Sequence, residues 1–435
     1  MKRRLLPILM TLVLVCARPI WAAFVTSGDV TNPLVCTAGA TSPPDNAATR
    51  LKSAISNGGT VQLTEDIEIS ETLVVTRDVT LDLNGHVLKM TGDGSVLYVK
   101  KDGPNTVTLT ITDSRPQNPH TGSYADLPAG GVITGGKGPN VTGIYYDYVG
   151  GAVFLEKDTT LKLEGGTLTV NSGSSIYIDG ATLVMSGGTI TGKTVGVHNN
   201  VGTFTMTGGR ITGRSDRGVY VYNGNMTMSG TAYIGENPNA RKEDIYVYES
   251  DHKHTDLSVT GGTIAGKVRI VFLESLGPTQ EELKAAANSV VKEQGVFDGH
   301  IKVEKGTSGT CVDYNSVNFI DEVAKTRTLK LVLQPNAVEE PETPATVNGR
   351  EFMYWTKEGA SEAWDFNTVI EVPLTLYAVR TPASSSGGYY YHPTTDTKAD
   401  DAKGSPKTAD PGVALYAALS LLSLTGLTCT GRKKF

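Results

Sequence analysis

One short row of residues repeats through the middle of this chain. Leu161-Lys162-Leu163-Glu164-Gly165-Gly166-Thr167-Leu168-Thr169 returns as Leu183-Val184-Met185-Ser186-Gly187-Gly188-Thr189-Ile190-Thr191, and again as Phe204-Thr205-Met206-Thr207-Gly208-Gly209-Arg210-Ile211-Thr212. Two further copies follow, at Met226-Thr227-Met228-Ser229-Gly230 and at Leu257-Ser258-Val259-Thr260-Gly261-Gly262-Thr263-Ile264. The first Gly of the pair sits at 165, 187 and 208, so the period is 22 and then 21 residues. Self-similarity at such a period marks a stacked array of small units.

The side chains choose the kind of array. Within each row apolar residues alternate with Thr, Ser or Lys, which is strand periodicity, and Gly-Gly breaks each row into short pieces. A coil this short holds three strands and three turns and leaves no room for a helix. The reading is all-β: a right-handed parallel β-helix, in which equivalent residues stack roughly 4.8 Å apart. Leu163, Met185, Met206, Met228 and Val259 then form one inward ladder, and Leu168, Ile190, Ile211, Ile234 and Ile264 a second. The Gly pairs supply the positive φ that a sharp bend needs. The alternative, a β-sandwich whose strands resemble one another by chance, does not account for a register held over several rows.

At 435 residues the chain exceeds a compact domain of about 150 residues, a limit that a solenoid growing along one axis escapes. A net charge of −6 argues against a nucleic-acid partner. The four cysteines, Cys16, Cys36, Cys311 and Cys429, have no metal-ligand spacing. We expect no metal and no cofactor.

In chain order, Met1-Lys2-Arg3-Arg4 and the apolar run behind it read as a signal peptide over 1–23. A leader covers 24–44. Residues 45–59 read as a helix capped by Asp45, with Leu51 and Ile55 on one face and Gly58-Gly59 as the stop. Strands follow at 60–63, 67–69, 73–75 and 79–83. The run from Leu51 to Leu63, with Leu81-Asp82-Leu83-Asn84-Gly85, resembles the opening of pectate-lyase-like β-helix proteins. The resemblance implies that fold over 45–275, with the helix closing the first coil. The stretch 114–127 is a polar insertion, and 269–274 reads as the last coil. In 276–302, Thr279-Gln280-Glu281-Glu282 is a capping box ahead of Leu283, Ala286, Ala287, Val290 and Val291 at helical spacing.

From 303 to 380 the Gly-Gly rows stop. Asn348-Gly349-Arg350-Glu351-Phe352-Met353-Tyr354-Trp355, Trp364-Asp365-Phe366-Asn367-Thr368 and Leu374-Thr375-Leu376-Tyr377-Ala378 resemble the internalin-type B repeat, which implies a small β-grasp-like module with Trp355, Trp364, Phe366 and Tyr377 in its core. Tyr354 replaces the Gly usual before the first Trp. Residues 381–404 are a polar spacer. Ser405-Pro406-Lys407-Thr408-Ala409, an apolar run over 413–430 long enough to span a bilayer, and Arg432-Lys433-Lys434 resemble a Gram-positive cell-wall sorting signal. Ser405 and Ala409 depart from the common LPXTG pattern. The resemblance implies that a sortase acylates itself at the Thr408 carbonyl and passes the chain to peptidoglycan. The alternative is a plain membrane anchor; both readings put the chain on the cell surface.

Candidate function lies in the strands before each Gly-Gly row. Strand alternation turns Tyr98, Tyr145, Tyr177, Tyr220 and Tyr246 outward as one column, interrupted at Gly196. Beside it stand Lys100, Asp147, Asp179, His198, Tyr222 and Tyr248. Such a face offers a glycan or a host surface protein aromatic and hydrogen-bonding contacts, although like residues also stack on solenoids for stability alone. Asp147 and Asp179 fall on adjacent coils, within the range a carboxylate pair needs for glycoside hydrolysis. The paired-Asp, Gly-His-Gly and Arg-x-Lys signatures of β-helix polygalacturonases are missing, and Asp216-Arg217 is the nearest approach to a lyase site. The expectation is a secreted, surface-anchored, non-catalytic adhesin or binding module. A polysaccharide lyase or hydrolase on the same scaffold and a structural stalk are the alternatives.

Overall fold

The computed structural model describes residues 34–35, 46–138, 150–213, 217–235, 243–250, 257–276, 278–290, 296–306 and 311–382. The stretches read from the sequence as a signal peptide (1–23) and a sorting signal (405–435), and most of 24–44 and 381–404, lie outside the described residues.

The described chain is all-β, with few helices and long parallel sheets, consistent with a β-solenoid. Three sheets form, and between Gly59 and Phe272 each takes every third strand in the order of the chain. The first holds Val107–Thr112, Thr159–Leu163, Thr182–Met185, Thr203–Met206 and Asn225–Met228 in succession. The second holds Thr167–Thr169, Thr189–Gly192, Arg210–Gly213 and Tyr233–Ile234. The third holds Gly150–Leu155, Ser174–Asp179, Val195–Asn200, Arg217–Tyr222 and Ile245–Glu249. Each repeat thus lays one strand on each sheet.

Both aliphatic ladders are present in register. Leu163 pairs with Met185, Met185 with Met206, Met206 with Met228 and Met228 with Val259. Leu168, Ile190, Ile211, Ile234 and Ile264 pair in the same way. All are fully buried in one continuous core. The second Gly of each pair bends the chain between the first and second sheets. Gly166, Gly188, Gly209 and Gly262 have φ of +79°, +74°, +81° and +80°, a conformation that costs an L side chain dearly. Their bare Cα atoms also make room for the ladder: a Cβ on Gly209 would lie 2.5 Å from Met185 Cε, and one on Gly262 2.8 Å from Met228 Cε.

Helix α1, Ala47–Asn57, buries Leu51, Ala54 and Ile55 in the same core. Its N-cap is Asn46, whose side chain accepts from Ala48 N at 2.7 Å, and not Asp45 as read from the sequence. The leader contributes a strand, Leu34–Val35, parallel to Gly59–Gln62. Helix α2, Gln280–Val290, has its capping box: Thr279 N donates to Glu282 Oε2 at 2.7 Å and Glu282 N to Thr279 Oγ1 at 3.3 Å. Leu283, Ala287 and Val290 are buried and Ala286 is half-buried; Val291 lies outside the described residues.

Residues 269–274 are not the last coil. After α2 the chain lays Val296–Phe297 on the second sheet and His300–Lys305 on the third, both parallel to the strands before them. The third sheet then continues: Cys311–Asp321 joins antiparallel to His300–Lys305, pairs antiparallel with Thr326–Leu333 and parallel with Leu374–Arg380, and Phe352–Lys357 joins the last antiparallel. The boundary read at 303 therefore falls inside a strand. A second core gathers here from Val317, Phe319, Val332, Val338, Trp355, Ile370 and Leu376, with Trp364 and Phe366 packed against it. Tyr377 is half-buried, and Leu376 takes the central place.

Candidate functional site

On the outer face of the third sheet, successive strands bring one ring per coil into line. Tyr98 pairs in register with Phe154, Phe154 with Tyr177, Tyr177 with His198, His198 with Tyr220 and Tyr220 with Tyr246. Neighbouring ring centroids lie 5.3, 5.3, 4.8, 4.6 and 5.3 Å apart along this column. Phe154 and Tyr177 stack within 9° of parallel. The rings cover one another: Phe154 is 5%, Tyr177 4% and His198 7% exposed, whereas Tyr98, Tyr220 and Tyr246 are half-buried. The column is less open at its centre than the sequence suggests.

A second column stands two residues further along each strand. Asp179, Asn200, Tyr222 and Tyr248 are register partners on successive coils; Lys100 and Glu156 directly follow the paired Val99 and Leu155 on the two coils before them, and all six are half-buried. Asn200 Nδ2 donates to Asp179 Oδ1 at 2.9 Å. The Tyr98 hydroxyl donates to Glu156 Oε2 at 2.9 Å, tying the two columns together. Tyr222 and Tyr248 stack at 5.7 Å and 9°, and the Tyr222 hydroxyl accepts from Ser250 Oγ at 3.2 Å. Burial first, then the hydrogen bond to Glu156, pushes the Tyr98 phenol up to about 12. Burial and the charge of Asp179 do the same for Tyr177.

Past Tyr246 the rings give way to charge. The Arg217 guanidinium lies 4.1 Å above the Tyr246 ring and 5.4 Å from that of Tyr220. Arg217 approaches Glu243 at 3.6 Å, Glu243 approaches Arg269 at 3.5 Å, Arg269 pairs with Glu304, and Lys302 reaches Glu304 at 2.8 Å. Burial pulls the Glu304 carboxyl upward, but hydrogen bonds from Lys302 and Arg269 outweigh it and hold the group ionised.

Two assignments made from the sequence change. His198 belongs to the ring column and fills the coil that Gly196 was expected to leave vacant; Asn200 takes the place given to His198. The misplacement is a two-residue slip, which preserves the alternation of faces and so leaves no trace in the hydrophobic pattern. Matching Gly196-Val197 to Gly218-Val219 gives the observed register directly. Phe154 and Glu156 were missed because their strand was sought at 144–147. Tyr145 and Asp147 lie outside the described residues, as do Asp216 and Ser405, Pro406, Lys407, Thr408 and Ala409. Arg217 lies in a strand, with its guanidinium over the Tyr246 ring.

Among the described residues, no group of three or more His, Cys, Asp or Glu side chains is arranged to hold a metal ion. No helix among them is long and apolar enough to cross a membrane; the apolar run at 413–430 lies outside them. No protein-family model, no curated protein and no solved structure matches the chain.

Proposed function

We propose that this is a secreted protein of the Gram-positive cell surface that displays a binding solenoid outward from the wall. The observation that carries the reading is the outer strip of the third sheet, where a ring recurs in register on six successive coils and a polar group beside it in register on four of them. A folded chain needs no such double column to close its core, since the inward ladders already do that. The strip serves as an adhesin face for a glycan or a host surface protein. In this reading the solenoid is right-handed and pectate-lyase-like, α1 and α2 close its ends, and 311–380 is a B-repeat-like spacer module. A sortase cuts after Thr408 and joins the chain to peptidoglycan, the 413–430 segment holding it in the membrane until then.

A second reading is a glycoside hydrolase. Glu156 and Asp179 directly follow Leu155 and Ile178, which are register partners on adjacent coils, and paired carboxyls about 5–9.5 Å apart are what glycoside hydrolysis needs. A glycan array read with the full-length chain, followed by a reducing-end assay on each ligand, separates the two. Binding lost in Tyr220→Ala and Tyr246→Ala without turnover supports the adhesin. Turnover abolished by Glu156→Gln supports the enzyme. Neither binding nor turnover leaves a stalk. Wall fractions of cells carrying Thr408→Ala test the anchoring: the variant is expected to leave the covalent wall fraction.

A further inference from the structure

Accepting the glycan-binding reading of the strip, its geometry narrows the class of glycan. We infer that it takes an uncharged linear polysaccharide lying along the stacking direction, one sugar residue per coil.

The step comes first. Asp179, Asn200, Tyr222 and Tyr248 give one hydrogen-bonding side chain per coil at the strand spacing of roughly 4.8 Å, and Lys100 and Glu156, which follow the paired Val99 and Leu155, extend the row over the two coils before them. All six are half-exposed. A straight row of polar groups at constant spacing suits a polymer whose own repeat is about as long and bears hydroxyls at each step. An extended chain of equatorially linked pyranose rings has that repeat. The side chains of a globular protein partner, unlike those of another solenoid, do not recur in this way.

The rings set the mode of contact. Phe154 against Tyr177, and Tyr222 against Tyr248, lie within 9° of parallel and turn their faces to one another. Arg217 covers Tyr246. These stacked pairs therefore turn ring edges outward, and beside them stand phenol hydroxyls, carboxylates and a carboxamide. These suit sugar hydroxyls better than they suit a stacking platform for the flat face of a ring.

Charge excludes the acidic polymers. The polar column carries one cation, Lys100, and two carboxylates, Glu156 and Asp179. At the charged end three cations, Arg217, Arg269 and Lys302, share the two carboxylates of Glu243 and Glu304 and are engaged with them. A polyuronate would set a carboxylate beside Glu156 and another beside Asp179, with no spare row of cations to receive them. Like charges so placed destabilise a complex.

The test is calorimetric titration of the full-length chain with two homologous series, from disaccharide to octasaccharide: β-linked xylose, mannose and glucose oligomers as neutral probes, and oligogalacturonates as acidic ones. A neutral series is expected to bind more tightly with each added residue up to six, one for each coil of the column, and then level off. Asn200→Ala and Tyr222→Phe are each expected to weaken the hexasaccharide roughly fivefold, the worth of one net hydrogen bond. Tyr222→Phe keeps the stacked ring but loses the bond from Ser250, so an unchanged melting temperature is the measurement that separates lost binding from lost folding. Equal or tighter binding of the oligogalacturonates overturns the uncharged class while leaving glycan binding intact. Affinity that does not change with length overturns the axial fit. Failure of every oligosaccharide overturns the glycan reading itself.

Discussion

Replacing Gly209 with alanine probes the bend on which every coil depends. Gly209 sits at φ +81°, and an added Cβ would lie 2.5 Å from Met185 Cε and 2.6 Å from the Gly187 carbonyl oxygen. Holding an L residue in the left-handed region costs about 1–2 kcal/mol. The methionine methyl swings aside at little cost, but the carbonyl belongs to the backbone of the adjacent coil, and forcing it away adds about 1–3 kcal/mol. Alanine returns about 0.4–1 kcal/mol by restricting the unfolded chain. The net loss expected is about 2–4 kcal/mol. Gly59→Ala is the matched control: Gly59 has φ +85° with nothing within 4 Å of an added Cβ, so only the backbone cost of about 1 kcal/mol remains. Because each coil of a solenoid touches only its neighbours, the loss is best read coil by coil. Native-state hydrogen exchange at the amides of Ile190, Ile211 and Ile234 provides that reading. Equal losses in the two variants would refute the argument that the Gly pairs serve close packing as well as the turn.

Three further outcomes are expected. The Asp244 side chain is 5% exposed and burial raises its carboxyl to about 6. The folded state therefore binds a proton more tightly than the unfolded chain, and the stability this group lends is full below about pH 4 and is lost as pH rises through about 6. Asp244→Asn should accordingly be more stable than the parent by roughly 1–3 kcal/mol at pH 8 and should lose that pH dependence, as read by denaturant melts at several pH values. Arg380 Nε donates to the two carboxylate oxygens of Asp321 at 3.2 and 3.0 Å, both side chains being almost fully buried; Arg380→Ala strands the carboxylate and should cost about 3–5 kcal/mol, seen as lost hydrogen-exchange protection in the strands around Trp355. In a spectrophotometric titration the phenols of Tyr98 and Tyr177 should ionise near pH 12, and Glu156→Gln should lower the first and leave the second.

The repeat made the coil legible because each ladder position carries its own side chain: Met185, Met206 and Met228 are separable by eye from the Thr residues between them. Helix α2 was legible for the same kind of reason, since Thr279 and Glu282 carry a local cap that owes nothing to distant partners. The outer strip was only half legible. Its faces follow from alternation, but which coil neighbours which depends on loop lengths that alternation does not record, so His198 slid two residues from its partner Tyr220. The strand Gly150–Leu155 escaped because Tyr145 and Tyr146 imitate its aromatic pattern. The continuation of the third sheet beyond 303 was hidden as well: the change from parallel to antiparallel pairing at Cys311–Asp321 leaves the alternation of side chains unaltered. Burial of Tyr177 and His198 comes from ring-on-ring contact across coils, which no single row contains.

The account rests on adjacent coils placing Thr205 beside Thr227. These residues are register partners, and the Thr227 hydroxyl donates to Thr205 Oγ1 at 3.2 Å. The direct measurement is disulfide formation under mild oxidation in Thr205→Cys/Thr227→Cys, read as a mobility shift reversed by reductant. The stacked-coil account predicts rapid, near-complete cross-linking in this pair. It predicts none in Thr205→Cys/Asn225→Cys, whose Cα atoms fall beyond the span of about 7 Å that a disulfide bridges. Cross-linking of the second pair in preference to the first would contradict it.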